Sequence, residues 1–203
     1  EDELKILDKA FEVANEKHKE QKRSSGEPYI IHPVSVAKIV LDYGMDCASV
    51  VAALLHDTVE DTDLTLKEVD ALFGEEITHL VDGLTKLGKV PLDIKDKEEQ
   101  QAENVRKMLL AMSQDIRIIS VKLADRLHNC RTIEFMPEHK RDKILSETMF
   151  VFIPLAHRLG LYGVKSEMED IWLRYKEPDA FNDITARINK DLSDKEKEIN
   201  DFI

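Results

Sequence analysis

The sequence predicts an all-α protein, a bundle of amphipathic helices. Three observations carry this expectation. Apolar residues recur at helical spacing along most of the chain, several segments open on helix-capping residues, and only 7 Gly and 6 Pro punctuate 203 residues. So few turn formers exclude a sandwich of many short strands, whose hairpins need frequent turns.

Leu4, Leu7, Phe11 and Ala14 define an amphipathic first helix, expected to fray near Ser24-Ser25-Gly26-Glu27-Pro28. Pro33 suits the first turn of a second helix, where a missing N–H costs nothing; that helix carries Val36, Ala37, Val40 and Leu41 and stops at Gly44. Ala48 to His56 is almost entirely apolar and too long for a typical strand, which predicts a central buried helix. Thr65-Leu66-Lys67-Glu68 is a capping box and Gly74 its stop; Ile77, Leu80, Val81 and Leu84 form the next apolar stripe. Gly88 to Lys97 mixes Gly, Pro and charge and is expected to be the longest loop, mobile and placed over the mouth of the site. A helix resumes from Glu98 to Ser113. Asp115 caps another, whose core face includes Ile118, Val121, Leu123 and Leu127. Pro137 opens a long helix through Met149, Phe152 and Leu155, Gly160 and Gly163 make a turn, and Val164 to Tyr175 is helical. Beyond Pro178 the pattern predicts one or two polar helices, with a second capping box at Ser193-Asp194-Lys195-Glu196. The division expected is a domain over 1–176 and a helical tail over 177–203.

Lys and Arg number 29 against 41 Asp and Glu, a net charge of −12. That balance disfavours nucleic acid as a partner, which wants a broad basic surface, yet leaves room for a small anion at a local cluster of positive charge. Cys47 and Cys130 are too few for a disulfide framework and are read as packing residues, which points to a reducing, cytoplasmic setting. No apolar run approaches the ~18 residues of a membrane span, so no membrane partner is expected. The start, Glu1-Asp2-Glu3-Leu4, has neither an initiator Met nor a signal peptide and predicts an excised or processed piece.

The densest chemical cluster is His56-Asp57-Thr58-Val59-Glu60-Asp61, directly after the apolar run. On a helix, His56, Glu60 and Asp61 stand at i, i+4 and i+5, and Asp57 and Asp61 at i and i+4, so an imidazole and several carboxylates meet at one end of a buried element. Uncompensated carboxylates there are costly, and a cation is their natural partner. The competing reading is a solvated helix end with His56 as a hydrogen-bonded core histidine. Two further stretches favour the cation: Ile30-Ile31-His32-Pro33 at a helix start, and Lys122-Leu123-Ala124-Asp125-Arg126-Leu127-His128-Asn129 at a helix end. His32, His56, Asp57 and Asp125 together offer two imidazoles and two carboxylates, a set that suits a first-row divalent metal and leaves positions open for water and substrate. A structural zinc site would use more Cys and four closed ligands.

In this order, His…His-Asp…Asp resembles the HD phosphohydrolase superfamily. Five motifs narrow the likeness to the N-terminal hydrolase domain of the RelA/SpoT homologues: Arg23 to Pro33, Ala52 to Thr62, Gln101 to Met108, Lys122 to Asn129, and Pro154-Leu155-Ala156-His157-Arg158-Leu159-Gly160. The resemblance implies an HD-type helical bundle that removes the 3′-diphosphate of guanosine tetra- and pentaphosphate, releasing GDP or GTP and pyrophosphate. It implies Mn²⁺ on His32, His56, Asp57 and Asp125, a catalytic acidic pair Glu60 and Asp61, and nucleotide contacts from Arg23, Ser25, Asn129 and Thr132. It also implies an attached synthetase domain in longer members, with the tail from Pro178 as the start of the connection. Because the His-Asp and Glu-Asp pairs are both retained, an active hydrolase is expected. Ser24 departs from the family, which usually has a basic residue after the arginine, and bears on substrate affinity.

Physical chemistry agrees with these roles. Glu60 or Asp61 can orient the attacking water or take its proton, and the Arg23 guanidinium can stack on guanine as Lys cannot. Arg23 as a solvated surface residue, and Asn129 as a helix cap, are the alternatives. Arg126 is expected to pair structurally, Arg131 with a phosphate or a local carboxylate, and His128 and His157 to bond within the core. His18, His79 and His139 have no assigned role. Met108, Met112, Met136 and Met149 are read as core. Two other functions fit less of the pattern: an HD hydrolase of a different nucleotide phosphate, and a metal-stabilised regulatory module controlling an attached domain.

Overall fold

The computed structural model describes residues 2–88 and 115–202. The expected loop from Gly88 to Lys97, the helix from Glu98 to Ser113 with Met108 and Met112, and the Gln101 to Met108 motif lie outside them, Gly88 excepted. Among the described residues the fold is all-helical, and the only strand-like pairing is one antiparallel bridge between Lys22 and Pro28.

The order is α1 (Asp2–Lys17), α2 (Ile31–Asp42), α3 (Cys47–Leu55), the single turn α4 (Thr58–Asp61), α5 (Leu66–Phe73), α6 (Glu75–Gly88), α7 (Ile116–Arg131), α8 (Glu138–Glu147), α9 (Ile153–Arg158), α10 (Tyr162–Lys176) and α11 (Pro178–Phe202). As its apolar sequence requires, α3 is the centre: every residue from Ser49 to Leu55 is buried, and α1, α2, α6 and α7 surround it. The expected stripes of α6 and α7 are buried throughout. The capping box at Thr65 is formed and Asp115 caps α7 by accepting from the N–H of Arg117 at 2.9 Å.

Asp46, absent from the sequence reading, caps α3 by accepting from the N–H of Ser49 at 2.8 Å, and it also receives Arg117 at 2.8 Å. Asp46→Ala is expected to destabilise the fold by about 1 kcal/mol, the usual loss for an N-cap, read as a lower urea midpoint with unchanged slope.

Several expectations are corrected. The first helix stops at Lys17, short of the Ser24 cluster, because His18 turns inward and bonds Gln21. Its buried face is Ala10 and Ala14, whereas Leu4 and Phe11 are exposed, as is Leu41 on α2. The helix from Pro137 widens into a π-type turn over Thr148–Phe152 before α9. Pro154 explains this: it offers no N–H, and its ring clashes with the carbonyl one turn back in a regular α-helix. Gly163 belongs to α10 rather than to the turn at Gly160; a Cβ there would stand 2.8 Å from the Tyr43 hydroxyl, so the position is a close approach between α10 and the end of α2. The tail is one helix that leans on α10, with the Arg174 guanidinium 5.4 Å from the Phe181 ring centre. It runs through Ser193 without a start there, since Ser-x-x-Glu is equally at home inside a helix when no Gly or Pro interrupts it.

Candidate metal centre and adjoining cavity

α3 ends at Leu55, and the chain turns through His56 and Asp57 before α4. Thr58 fastens this corner by donating its hydroxyl to the Leu55 carbonyl at 2.6 Å. The corner delivers two side chains to one point. α2 supplies His32 from its first turn, and α7 supplies Asp125 from its middle. His32 Nε2 lies 3.5 Å from Asp57 Oδ2 and 3.2 Å from Asp125 Oδ1; His56 Nε2 lies 3.1 Å from Asp57 Oδ2 and 3.9 Å from Asp125 Oδ1. Donor atoms of His32, His56 and Asp57 all fall within 4.8 Å of one another. The four residues that the sequence grouped therefore meet.

The donor set fits a divalent cation. His56 Nδ1 donates to the Ala53 carbonyl at 2.8 Å, which fixes one proton on Nδ1 and leaves Nε2 as the position for a second proton or a cation; that Nε2 is buried with no hydrogen-bond partner. Burial alone would lower the His56 pKa, but the Asp57 and Asp125 charges outweigh it and push it up to about 9. Charges that hold a proton on Nε2 so strongly favour a metal ion in the same place. Burial pushes both carboxyls up, yet the His56 ring holds Asp57, and the Lys122 ammonium with the His32 ring holds Asp125, below the usual carboxylate range.

Each of the four side chains is held by a neighbour. The Tyr29 hydroxyl donates to Asp57 Oδ2 at 2.6 Å. Lys122 Nζ donates to Asp125 Oδ2 and Asn129 Nδ2 to Asp125 Oδ1, at 2.8 and 2.7 Å. His32 Nδ1 meets His128 Nδ1 at 2.7 Å. The sequence reading missed Lys122 and Tyr29. The i, i+3 spacing of Lys122 and Asp125 on a helix was a usable signal; Tyr29, on a turn, had none. His18, which has no assigned role from the sequence, is buried and stacked on Tyr29 with ring centres 4.6 Å apart. His157 is exposed, against an edge of Tyr162, and does not bond within the core.

A cavity of about 190 Å³ opens beside the centre. Arg23, Ser25, Tyr29, His32, His128 and Thr132 are among its lining residues. The hairpin turn that presents Arg23 depends on Gly26, whose φ of 88° is disfavoured for residues with a Cβ. Arg23 Nη2 donates to Asn129 Oδ1 at 3.0 Å and to Thr132 Oγ1 at 3.2 Å, so these three candidates form one group. Ser25 donates instead to Glu27 at 3.0 Å. Glu60 and Asp61 are exposed on α4 and do not line this cavity; Tyr29 links it to them, its hydroxyl 3.5 Å from Asp61 Oδ2. Partial desolvation against the protein, with the Asp57 charge adding to it, raises the pKa of both exposed groups. Arg126 pairs with Glu147 at 2.7 Å over the Phe152 ring, and Arg131 with Glu167 at 2.6 Å, so both serve local carboxylates. Cys47 and Cys130 are free thiols.

Residues 10–162 match the HD domain family. The chain belongs to that family. Several curated relatives match nearly all of this chain. A GTP pyrophosphokinase of Myxococcus xanthus is 49% identical over 98% of this chain and 26% of its own length. A guanosine-3′,5′-bis(diphosphate) 3′-pyrophosphohydrolase of Aquifex aeolicus is 46% identical over 97% of this chain and 28% of its own. Among solved structures, a metazoan orthologue of SpoT that hydrolyses ppGpp matches with a TM-score of 0.65 and 25% identity, over 84% of this chain and 96% of that one. The chain spans about a quarter of the length of the curated relatives it matches. HD domains are metal-dependent hydrolases, and the trio of His32, His56 and Asp57 here is able to hold a metal ion. No helix among the described residues is long and apolar enough to cross a membrane.

Proposed function

We propose that this HD domain hydrolyses the 3′-diphosphate of guanosine 3′,5′-bis(diphosphate) and of the pentaphosphate, releasing pyrophosphate and leaving GDP or GTP. The observation that carries the reading is the convergence of two imidazole nitrogens and two carboxylates beside a cavity walled by Arg23 and Thr132. His32, His56, Asp57 and Asp125 would hold the divalent ion, Mn²⁺. When bound, the ion supplies Lewis-acid polarisation of the phosphoryl group and of water. The chain's own groups do the rest. Glu60 or Asp61 orients the attacking water and takes its proton, because these carboxylates stand beyond the ligands and not among them. Arg23 lays its guanidinium plane on the guanine; Ser25, Asn129 and Thr132 bond the nucleotide's polar edges. Nucleic acid is no partner of this acidic surface, and the setting is cytoplasmic. Residues 1–176 are the hydrolase domain in this reading, and the tail over 177–203 leads toward a synthetase domain of the kind that longer members carry.

Incubation with guanosine tetraphosphate and Mn²⁺, followed by nucleotide chromatography, tests the reading. GDP and pyrophosphate are the expected products; an unchanged tetraphosphate with metal bound overturns it. Arg23→Ala is expected to raise KM about 10-fold and leave kcat within about threefold, the size of a lost cation–π contact made equally in ground and transition states. A collapse of kcat at constant KM would move Arg23 into the chemical step.

A further inference from the structure

His128 is buried, at 8% exposure, and its Nδ1 faces the Nδ1 of His32 at 2.7 Å with the rings tilted 44°. Two ring nitrogens at that distance share one proton, since facing lone pairs repel and two protons collide. A neutral His32 then has two arrangements. If His128 supplies the shared proton, His32 carries its own proton on Nε2, toward Asp125 Oδ1 at 3.2 Å, and offers no lone pair there. If His32 supplies it, the Nε2 lone pair is turned between Asp57 and Asp125. We propose that His128 is a positioning residue of the metal centre: it accepts the Nδ1 proton of His32 and keeps the His32 Nε2 lone pair facing the two carboxylates.

The inference rests on the metal reading above. Metal-ligating histidines are commonly fixed by an acceptor at the other ring nitrogen, and that acceptor is often a carboxylate. Here Asp57 and Asp125 already bring two negative charges to the centre, and a neutral imidazole sets the His32 orientation without adding a third. A second consequence follows from the same proton. With Nδ1 accepting, the proton of His128 resides on Nε2, and His128 lines the cavity together with Arg23 and Thr132.

Three variants test this by Mn²⁺ titration, with free Mn²⁺ read from its electron paramagnetic resonance signal. His128→Ala is expected to weaken Mn²⁺ binding about 10–100-fold, the usual effect of losing such a partner. His128→Asn places a carboxamide oxygen where Nδ1 stood and should restore binding to within about threefold of wild type. His128→Gln carries its oxygen toward the Nε2 position, away from His32, and should bind as weakly as the alanine variant. Melting in EDTA checks folding; should His128→Ala fail to fold, the Asn and Gln pair carries the test. Equal affinities for Asn and Gln would show that His128 only fills space and would overturn the proposal. Wild-type Mn²⁺ binding with all three variants unchanged overturns it alone. A wild-type protein that binds no Mn²⁺ overturns the metal reading and this inference together.

Discussion

Replacing Asp125 with alanine is expected to abolish stoichiometric metal binding and to lower the melting temperature in Mn²⁺ more than in EDTA. Asp125 sits in the middle of α7, 6% exposed, with one oxygen held by Lys122 and the other by Asn129 while facing both histidines. Its loss removes one of the four proposed ligands and one of two negative charges. The buried Lys122 ammonium then faces the centre without its partner, and a cation there repels another. Because the metal binds the folded chain and not the unfolded one, metal at 100 times its Kd stabilises the fold by about 2.7 kcal/mol, and the variant forfeits that increment. Elemental analysis of purified protein and paired melts with Mn²⁺ or EDTA separate the two losses. Asp125→Asn keeps the shape and the Asn129 contact but turns an amide N–H toward Lys122 in place of the carboxylate oxygen, so it should lose some stability in EDTA and still bind metal poorly. Wild-type metal content in Asp125→Ala would show that Asp125 lies outside the coordination shell.

The meeting of His32, His56, Asp57 and Asp125 was legible because each is a polar residue in or directly beside an apolar helix: His32 in the first turn of α2, His56 and Asp57 just past α3, and Asp125 amid the core face of α7. A polar residue amid core residues is the deviation that a sequence displays most clearly. The same logic made α3 and the stripes of α6 and α7 readable. What escaped depended on tertiary contact. Tyr29 reaches Asp57 across 28 positions from a turn with no periodicity, and His18 is buried by Tyr29 and Gln21 although its neighbours in sequence are charged. On α1 and α2 the periodicity was right, but the width of the buried face was not: small Ala10 and Ala14 pack against α3, which leaves Phe11 on the rim. Pro154 announced an irregularity, yet a proline alone does not say whether a helix ends, kinks or widens. The nucleotide group was legible only in part. Arg23, Asn129 and Thr132 come together across 106 and 109 positions, whereas Ser25 bonds Glu27 and gives no sign of that group by itself.

Glu60→Gln and Asp61→Asn should separate chemistry from metal binding. Both side chains are exposed on α4, outside the proposed ligand set of His32, His56, Asp57 and Asp125, so each variant is expected to keep wild-type metal content and melting temperature. The variant that removes the proton acceptor should lose ~10²–10⁴-fold in turnover, the usual contribution of a general base. The pH profile identifies which residue that is. Burial, with the Asp57 charge added, raises both carboxyls, while Lys122 opposes the shift at Glu60 and His18 at Asp61. A base works deprotonated, so turnover rises as pH climbs through its pKa and falls below it. An acid limb of kcat is therefore expected in the wild type. It disappears from the residual activity of the variant lacking the base and persists in the other. A solvated acidic helix end, by contrast, predicts near-normal turnover and an unmoved limb in both. Full activity in Glu60→Gln and Asp61→Asn alike would remove the acidic pair from the mechanism, and loss of metal from either would place that residue in the coordination shell.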